Sequence, residues 1–274
     1  MSADGSPVAL VTGCSSGIGR ASALALLGAC RVYATARRPE TLAELEVAGC
    51  RTLGLDVTDE ASRVEAIATV EREHGRLDVL VNNAGYAEYG PLEEVPLDRW
   101  RRELETNLLG AVRLIQLALP GMRERGSGRI VNLSSIGGRI AFPLGAPYHA
   151  SKFAVEAMSD VLRLEVAPFG IDVVVIEPGL VDTGYADTAS SGLHEAAEGP
   201  YGDLARSFLA AMASSYGGGR AVKPERVAAV VVRAATSRRP RTRYVVTMHA
   251  RLLIAGRAWL PDRLWDAVLR RTFR

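Results

Sequence analysis

Lysine is almost missing from this chain. Of 33 basic residues only two, Lys152 and Lys223, are lysine; the rest are arginine. A compact ammonium on a flexible stem and a planar guanidinium are not interchangeable. A lysine in so arginine-rich a sequence therefore marks a position worth following. Cysteine is scarce too. Cys14, Cys30 and Cys50 are odd in number and show no CxxC or zinc-ligand spacing. They predict three reduced thiols, with neither a disulfide framework nor a metal site. The net charge is only +2 over 274 residues, which leaves no global electrostatic case for nucleic acid. No run reaches the length of about 18 apolar residues that a membrane span requires. Met1 to Pro7 is short, polar and without a signal-peptide pattern, so the expected location is cytoplasmic. Internal repeats and long low-complexity segments are also missing.

What is present is 48% hydrophobic residues, ample for one large α/β core. Short apolar runs recur at Val8–Val11, Arg31–Ala36, Thr52–Leu55, Leu77–Val81, Arg129–Leu133, Ile171–Ile176 and Arg243–Thr247. Helical patterns separate most of them: Arg20 to Leu27, a helix capped by Asp59 to about His74, Asp98 to about Arg125, Tyr148 to Val166, and Pro224 to Thr236. Apolar strands alternating with helices predict a doubly wound parallel sheet with helices on both faces. In such sheets ligands bind at the carboxyl ends of the strands. The Gly13 loop, Arg37-Arg38, Asp56, Asn83, Ser135 and Pro178 all fall at those ends, which argues for one shared site.

Two stretches carry most of the chemistry. The first strand runs into Gly13-Cys14-Ser15-Ser16-Gly17-Ile18-Gly19 and then a helix. Glycines there let backbone approach a pyrophosphate at the positive helix N-terminus. The spacing is GxxxGxG rather than GxGxxG, and an ordinary glycine-rich turn is the bland alternative. The second stretch is Tyr148-His149-Ala150-Ser151-Lys152, where phenol and ammonium stand one helical turn apart on one face. A neighbouring cation favours the phenolate, so the pair is suited to proton transfer near neutral pH. A solvated face carrying Tyr and Lys by chance is the competing reading. At the tip of the second strand stand Arg37 and Arg38 with no acid. That favours the 2′-phosphate of NADP(H) over the 2′-hydroxyl of NAD(H), which stays open, as does a pair of solvated loop charges.

With these motifs in place the chain resembles the short-chain dehydrogenase/reductase family, in its single-domain branch. Thr12-Gly13-xxx-Gly17-x-Gly19 resembles the cofactor loop, Asp56-Val57 the adenine contact, and Asn82-Asn83-Ala84-Gly85 the cofactor-lining turn that also braces the sheet. Pro178-Gly179-x-Val181-x-Thr183 resembles the segment that holds the nicotinamide carboxamide. Asn107, Ser135, Tyr148 and Lys152 match the four active-site residues; Ser135 rather than Ser134 lies thirteen residues before Tyr148, the family interval. The narrower likeness, in Thr12 to Gly19 and Val32 to Arg37, is to the 17β-hydroxysteroid and retinol dehydrogenase group. The resemblance implies a Rossmann-type sheet of about seven strands and hydride transfer between NAD(P)(H) and a carbinol or carbonyl carbon. It also implies a homodimer or homotetramer through the Asp98 and Tyr148 helices. An isomerising or dehydrating relative and a non-catalytic cofactor-sensing protein are the alternatives. The link Leu27 to Arg31 looks a residue or two short, which could shift the register of Arg37.

The substrate end is less defined. Residues 1–247 read as the nucleotide-binding domain, with a substrate lid over about 183–223 rich in Ala, Ser and Gly. Leu204, Phe208, Leu209 and Met212, with Tyr89, Phe142 and Leu144, suggest an apolar pocket for a hydrophobic alcohol or ketone, or else ordinary core packing. His149 and His194 read as ordinary packed or surface histidines rather than pocket groups. Residues 248–274 form a basic, amphipathic extension with Trp259 and Trp265. Packing against the domain or a partner copy is the first expectation for it, and contact with a membrane surface the second.

Overall fold

Seven strands, each four to seven residues long except the last, form one parallel sheet whose central strands are built mostly of buried, branched apolar residues. They are β1 (Val8–Val11), β2 (Arg31–Ala36), β3 (Arg51–Gly54), β4 (Val79–Asn82), β5 (Gly128–Leu133), β6 (Ile171–Glu177) and the three-residue β7 (Arg243–Val245). The computed structural model of the protein describes residues 5–183, 192–219 and 221–273. Sheet order is β3-β2-β1-β4-β5-β6-β7, so the crossover direction reverses between β1 and β4. The short link before β2 does not disturb register: Val8 pairs with Arg31 and Val11 with Ala34, and Arg37 follows directly at the strand's carboxyl end.

Helices cover both faces. They are α1 (Gly17–Leu26), α2 (Ala43–Val47), α3 (Glu60–His74), α4 (Leu97–Leu104), α5 (Gly110–Arg125) and α6 (Ala146–Val166). After them come α7 (Gly202–Gly217), α8 (Pro224–Thr236), α9 (Met248–Trp259) and α10 (Asp262–Thr272). Strand alternation sends Ala9, Val11, Val81, Val131 and Ile176 to one face, against Ala23 and Leu26 of α1 and Val227 and Val231 of α8. Val8, Leu10, Leu80, Ile130 and Val173 go to the other, against Ile67 and Val70 of α3, Leu114 and Met122 of α5, and Leu162 of α6. A third apolar cluster joins Leu144, Leu193, Ala196, Ala205 and Phe208. Asp59 caps α3 as its sequence predicts, its Oδ1 accepting the Ser62 amide at 2.7 Å.

The continuous helix expected over Asp98 to Arg125 is interrupted. A π-turn, Glu105–Leu109, separates α4 from α5. Gly110 closes the turn where a Cβ would lie 2.5 Å from the Val57 carbonyl oxygen. The reason is tertiary: Asn107, inside the turn, is buried and bonded to groups on other elements.

At the C-terminal end Thr247 caps α9, Trp265 and Ala250 are buried, and Arg257 pairs with Asp262 at 2.6 Å across the turn between α9 and α10. No helix among the described residues is long and apolar enough to cross a membrane. Of the expected lid, residues 184–191 and Arg220 lie outside the described residues, as does Arg274 of the extension.

The three cysteines are free thiols, and all are buried. Burial pushes Cys14 up to about 12 and Cys30 and Cys50 to about 11. A thiol so protonated and enclosed is a poor nucleophile. The folded protein is therefore expected to take up no maleimide at pH 7, while the denatured chain takes up three equivalents by mass spectrometry.

Candidate active site

The carboxyl ends of β1 and β4 are clamped side by side. Thr12 Oγ1 accepts the amides of Asn83 and Ala84, both at 2.9 Å, and Asn83 Nδ2 donates to the carbonyls of Thr12 at 2.8 Å and Gly13 at 3.1 Å. The glycine loop is drawn tight on this clamp. Gly13 has φ +70°, and a Cβ on Gly19 would fall 2.1 Å from the Gly13 carbonyl oxygen. Any side chain at either position would push backbone apart. Ser15 and Ser16 are exposed at the mouth of the loop, and Ile18 packs on the core behind it. Ser16 is the N-cap of α1 but its side chain makes no capping bond, and the first turn holds no acid. Positive N–H ends are thus left facing outward.

Arg37 lies exposed past β2, near Asp56 past β3. Burial tends to raise the Asp56 carboxyl, but two bonds from Thr58 and the charges of Arg37 and Arg63 hold it below its usual value. Val57, next to it, is buried and accepts Arg63 Nη1 at 2.8 Å. On the opposite side, Ile136 N donates to the Pro178 carbonyl at 2.9 Å, and Gly179 sits against Thr247, with room for no Cβ. Val181 bridges to Val222, and the Thr183 side chain would lie 3.0 Å from a Cβ on Gly17. The glycine loop and the segment Pro178 to Thr183 therefore lie side by side. Together with the open α1 N-terminus and a basic group past β2, this arrangement fits a dinucleotide.

The four expected active-site residues converge beside it. Tyr148 is buried, and a Cβ on Gly137 would lie 2.9 Å from its ring, which places the ring next to the Ser135 turn. Ser135 Oγ accepts the Gly137 amide at 3.0 Å. Ser134 packs away from the ring, its Oγ close to Gly138. Lys152 is buried one turn after Tyr148, with Nζ 6.0 Å from the Tyr148 ring centroid and 2.9 Å from the Leu133 carbonyl to which it donates. Burial lowers Lys152 to about 8, against the opposing pull of Glu103 and Glu156. Gly85 lies over Asn107 and Lys152, where a Cβ would be 2.9 Å from Asn107 Oδ1 and 3.7 Å from Lys152 Nζ.

Asn107 is engaged at both ends, the two hydrogens of its Nδ2 shared among three acceptors. Its Oδ1 accepts the Tyr86 amide at 3.0 Å, and its Nδ2 donates to the Tyr86 carbonyl at 2.9 Å, Ser151 Oγ at 3.0 Å and Glu103 Oε1 at 3.1 Å. Sequence reasoning missed Glu103. A carboxylate one turn before a polar helix residue shares its face, and that spacing was the available signal. Glu103 has 0% exposure and accepts the Glu88 amide at 3.0 Å. Burial pushes it up to about 8, against the Glu88 bond and the charge of Lys152. A second omission is the buried ladder Asn82–Asn132–Ser159, with bonds of 2.9 Å at both steps, which ties β4, β5 and α6 behind the site.

His149 is a brace: Nε2 accepts the Phe142 amide at 3.0 Å and Nδ1 donates to the Gly137 carbonyl at 2.9 Å. His194 is exposed and takes no part. Leu144 has φ +64°, a strained conformation for a branched side chain. It holds the side chain in the third apolar cluster, where Tyr89, Phe142, Leu204, Leu209 and Met212 pack as well. Tyr89 links this cluster to Tyr148, with ring centroids 6.0 Å apart, and to Phe208 at 5.6 Å. Phe273, at the end of α10, stacks on Phe208 at 5.1 Å.

Glu103 binds a proton more tightly in the folded state, at about 8, than at its ordinary 4.5. Between those values the native state holds more protons than the unfolded one, so this group lowers stability as pH rises. Glu103→Gln, uncharged throughout, is expected to flatten that decline in urea midpoints measured from about pH 5 to 8. An unchanged slope would show that Glu103 titrates normally.

A family model described as short chain dehydrogenase matches residues 7–193. The chain is 35% identical over 270 residues to a 3-ketodihydrosphingosine reductase of Bacteroides thetaiotaomicron, covering 96% of each. It is 33% identical to an NADPH-dependent 3-dehydrocapnine reductase of Ornithobacterium rhinotracheale, covering 95% of each. It is 36% identical over 255 residues to human 17-beta-hydroxysteroid dehydrogenase type 1, covering 88% of this chain and 77% of that one. Among solved structures, a short-chain dehydrogenase from Streptomyces avermitilis superposes with a TM-score of 0.78 at 34% identity over 98% of both chains. A metagenomic short-chain oxidoreductase in complex with NADP gives 0.69 at 28% identity, over 88% of this chain and 96% of that one. With matches of this extent, and a parallel sheet whose strand ends gather the family's motifs, the chain belongs to the short-chain dehydrogenase family of NAD(P)-binding oxidoreductases.

Proposed function

We propose that this protein is an NADPH-dependent reductase of a hydrophobic ketone, working through Tyr148, Lys152, Ser135 and Asn107. The observation that carries the reading is the position of the Tyr148 ring. One side faces the Ser135 turn, and the other meets Tyr89 and so the apolar cluster. NADPH, when bound, supplies the hydride to the carbonyl carbon. Tyr148 gives its phenolic proton to the carbonyl oxygen. Ser135 takes its own hydrogen bond from Gly137 N, leaving its hydroxyl hydrogen to donate to that same oxygen as charge builds on it. The Lys152 ammonium stabilises the phenolate left behind and reaches toward the nicotinamide ribose. By the family resemblance Asn107 would hold a water that links Lys152 to solvent. Its side chain is already committed, so we place that water at the main chain of the π-turn, where the inserted residue breaks the regular carbonyl pairing.

Gly13, Ser15, Ser16, Gly17, Ile18 and Gly19 would cradle the pyrophosphate. Arg37 would take the 2′-phosphate, Asp56 and Val57 the adenine, and Asn83, Ala84 and Gly85 would line the middle. Pro178, Gly179, Val181 and Thr183 would hold the carboxamide end. Residues 183–223 would cover the substrate on a nucleotide-binding body of residues 1–247. The apolar cluster to which this segment contributes Leu193, Phe208 and Met212 favours a lipid-like substrate. Two relatives are named as a 3-ketodihydrosphingosine reductase and an NADPH-dependent 3-dehydrocapnine reductase, which supports both the ketone and the cofactor. Exposed Leu109, Phe153, Val161 and Leu164 on the π-turn and α6 support a homodimer or homotetramer through these helices.

Tyr148→Phe is expected to lower ketone reduction by roughly 10²–10⁴-fold, the usual worth of a general acid. Binding of NADPH, followed by nicotinamide fluorescence, should persist; retained turnover would overturn the assignment. NADPH is expected to bind at least about tenfold more tightly than NADH, since one charge-assisted hydrogen bond is worth about 1.5–3 kcal/mol. Arg37→Asp should reverse that order in the same titration. Equal binding of the two cofactors by the unaltered protein would remove Arg37 from the role.

A further inference from the structure

The C-terminal helices α9 and α10 face two ways. Inward, Ala250 and Trp265 are buried, Thr247 and Ala250 abut Gly179, and Phe273 closes on Phe208. Outward, α9 presents Met248, Leu252 and Trp259, exposed by 64%, 66% and 87%. At about 100° per residue these three fall within roughly 40° of one another, on one face. On α10, Leu264 and Val268 are exposed one turn apart. Residues 248–273 carry five arginines against two aspartates, a net charge of +3, with neither lysine nor glutamate.

We propose that this outer face docks on the surface of an anionic lipid bilayer. Large aliphatic side chains and a tryptophan, interleaved with arginines, suit the boundary between headgroups and acyl chains. The charge argues against a second copy as occupant, because two such helix pairs, each with a net charge of +3 over residues 248–273, repel one another when brought together. The inner contacts give docking a purpose. From Phe273 through Phe208 and Tyr89 to Tyr148, successive ring centroids lie 5.1, 5.6 and 6.0 Å apart. An apolar substrate dissolved in the bilayer would meet the cluster beside Tyr148 without crossing water. That purpose rests on the proposed reduction of a lipid-like ketone, whereas the docking itself is read from the helices alone.

The test is co-sedimentation of the full chain with vesicles of equal parts phosphatidylcholine and phosphatidylglycerol, against phosphatidylcholine alone. Binding is expected only to the anionic vesicles and should weaken as salt is raised. Leu252→Ser with Trp259→Ser should weaken it by at least about tenfold. Arg263→Glu with Arg270→Glu, which leaves the apolar face intact, should do the same. Neither pair should change NADPH-driven reduction of a small water-soluble ketone, and circular dichroism checks their folding. No binding by the unaltered protein, binding indifferent to both pairs, or a lipid-free loss of oligomer on Leu252→Ser with Trp259→Ser would each overturn the proposal. Vesicle binding by a protein that reduces no ketone would uphold docking and reject the proposed reaction.

Discussion

One buried amide, that of Asn107, holds the site together. Its oxygen and nitrogen take both main-chain groups of Tyr86, and its nitrogen also reaches Ser151 on α6 and Glu103 on α4. Four stretches of chain thus meet at one side chain: the end of α4, the π-turn, the loop after β4, and the helix that carries Tyr148 and Lys152. A buried polar network of this kind is stable only when nearly every member is paired. Its satisfaction fixes the loop 84–89, which runs from the clamp at Thr12 to Tyr89 in the apolar cluster.

Around that node the charges are few and deeply placed. Lys152 and Glu103 are both buried, and burial draws their proton affinities toward one another, to about 8 in each case. The two groups, on α6 and α4, are therefore poised to exchange protons near neutrality, which a surface lysine and glutamate would not do. The arginines elsewhere are mostly exposed or paired. Their guanidinium groups stay charged across this range, which is the physical content of finding lysine, and not arginine, at this position.

Much of this was legible in the chain. Strands of a parallel sheet are buried on both sides, so they appear as continuous apolar runs that need no partner to be seen. The residues that end them, Gly13, Arg37, Asp56, Asn83, Ser135 and Pro178, could be placed at one edge before any coordinates. The π-turn was not legible, because nothing local distinguishes Glu105–Leu109 from the helices beside it; Asn107 bends the helix through bonds to Tyr86 and Ser151, far off in sequence. Glu103 stayed hidden for a related reason: a glutamate among arginines reads as a solvated face until its surroundings are known. His149 could be read as a packed residue but not as a brace, since the peptide groups it joins, Gly137 and Phe142, are brought to it only by the turn they form.

The π-turn also sets a phase. One added residue rotates everything after it by about 100° about the helix axis. Before the turn, Glu103 faces Asn107 within it; after the turn, Leu114, Ile115, Ala118 and Met122 lie on the sheet. A single uninterrupted helix could not serve both directions. Deleting one residue here would turn the apolar stripe of α5 off the sheet, so the length of this stretch is constrained more tightly than the identity of its exposed residues.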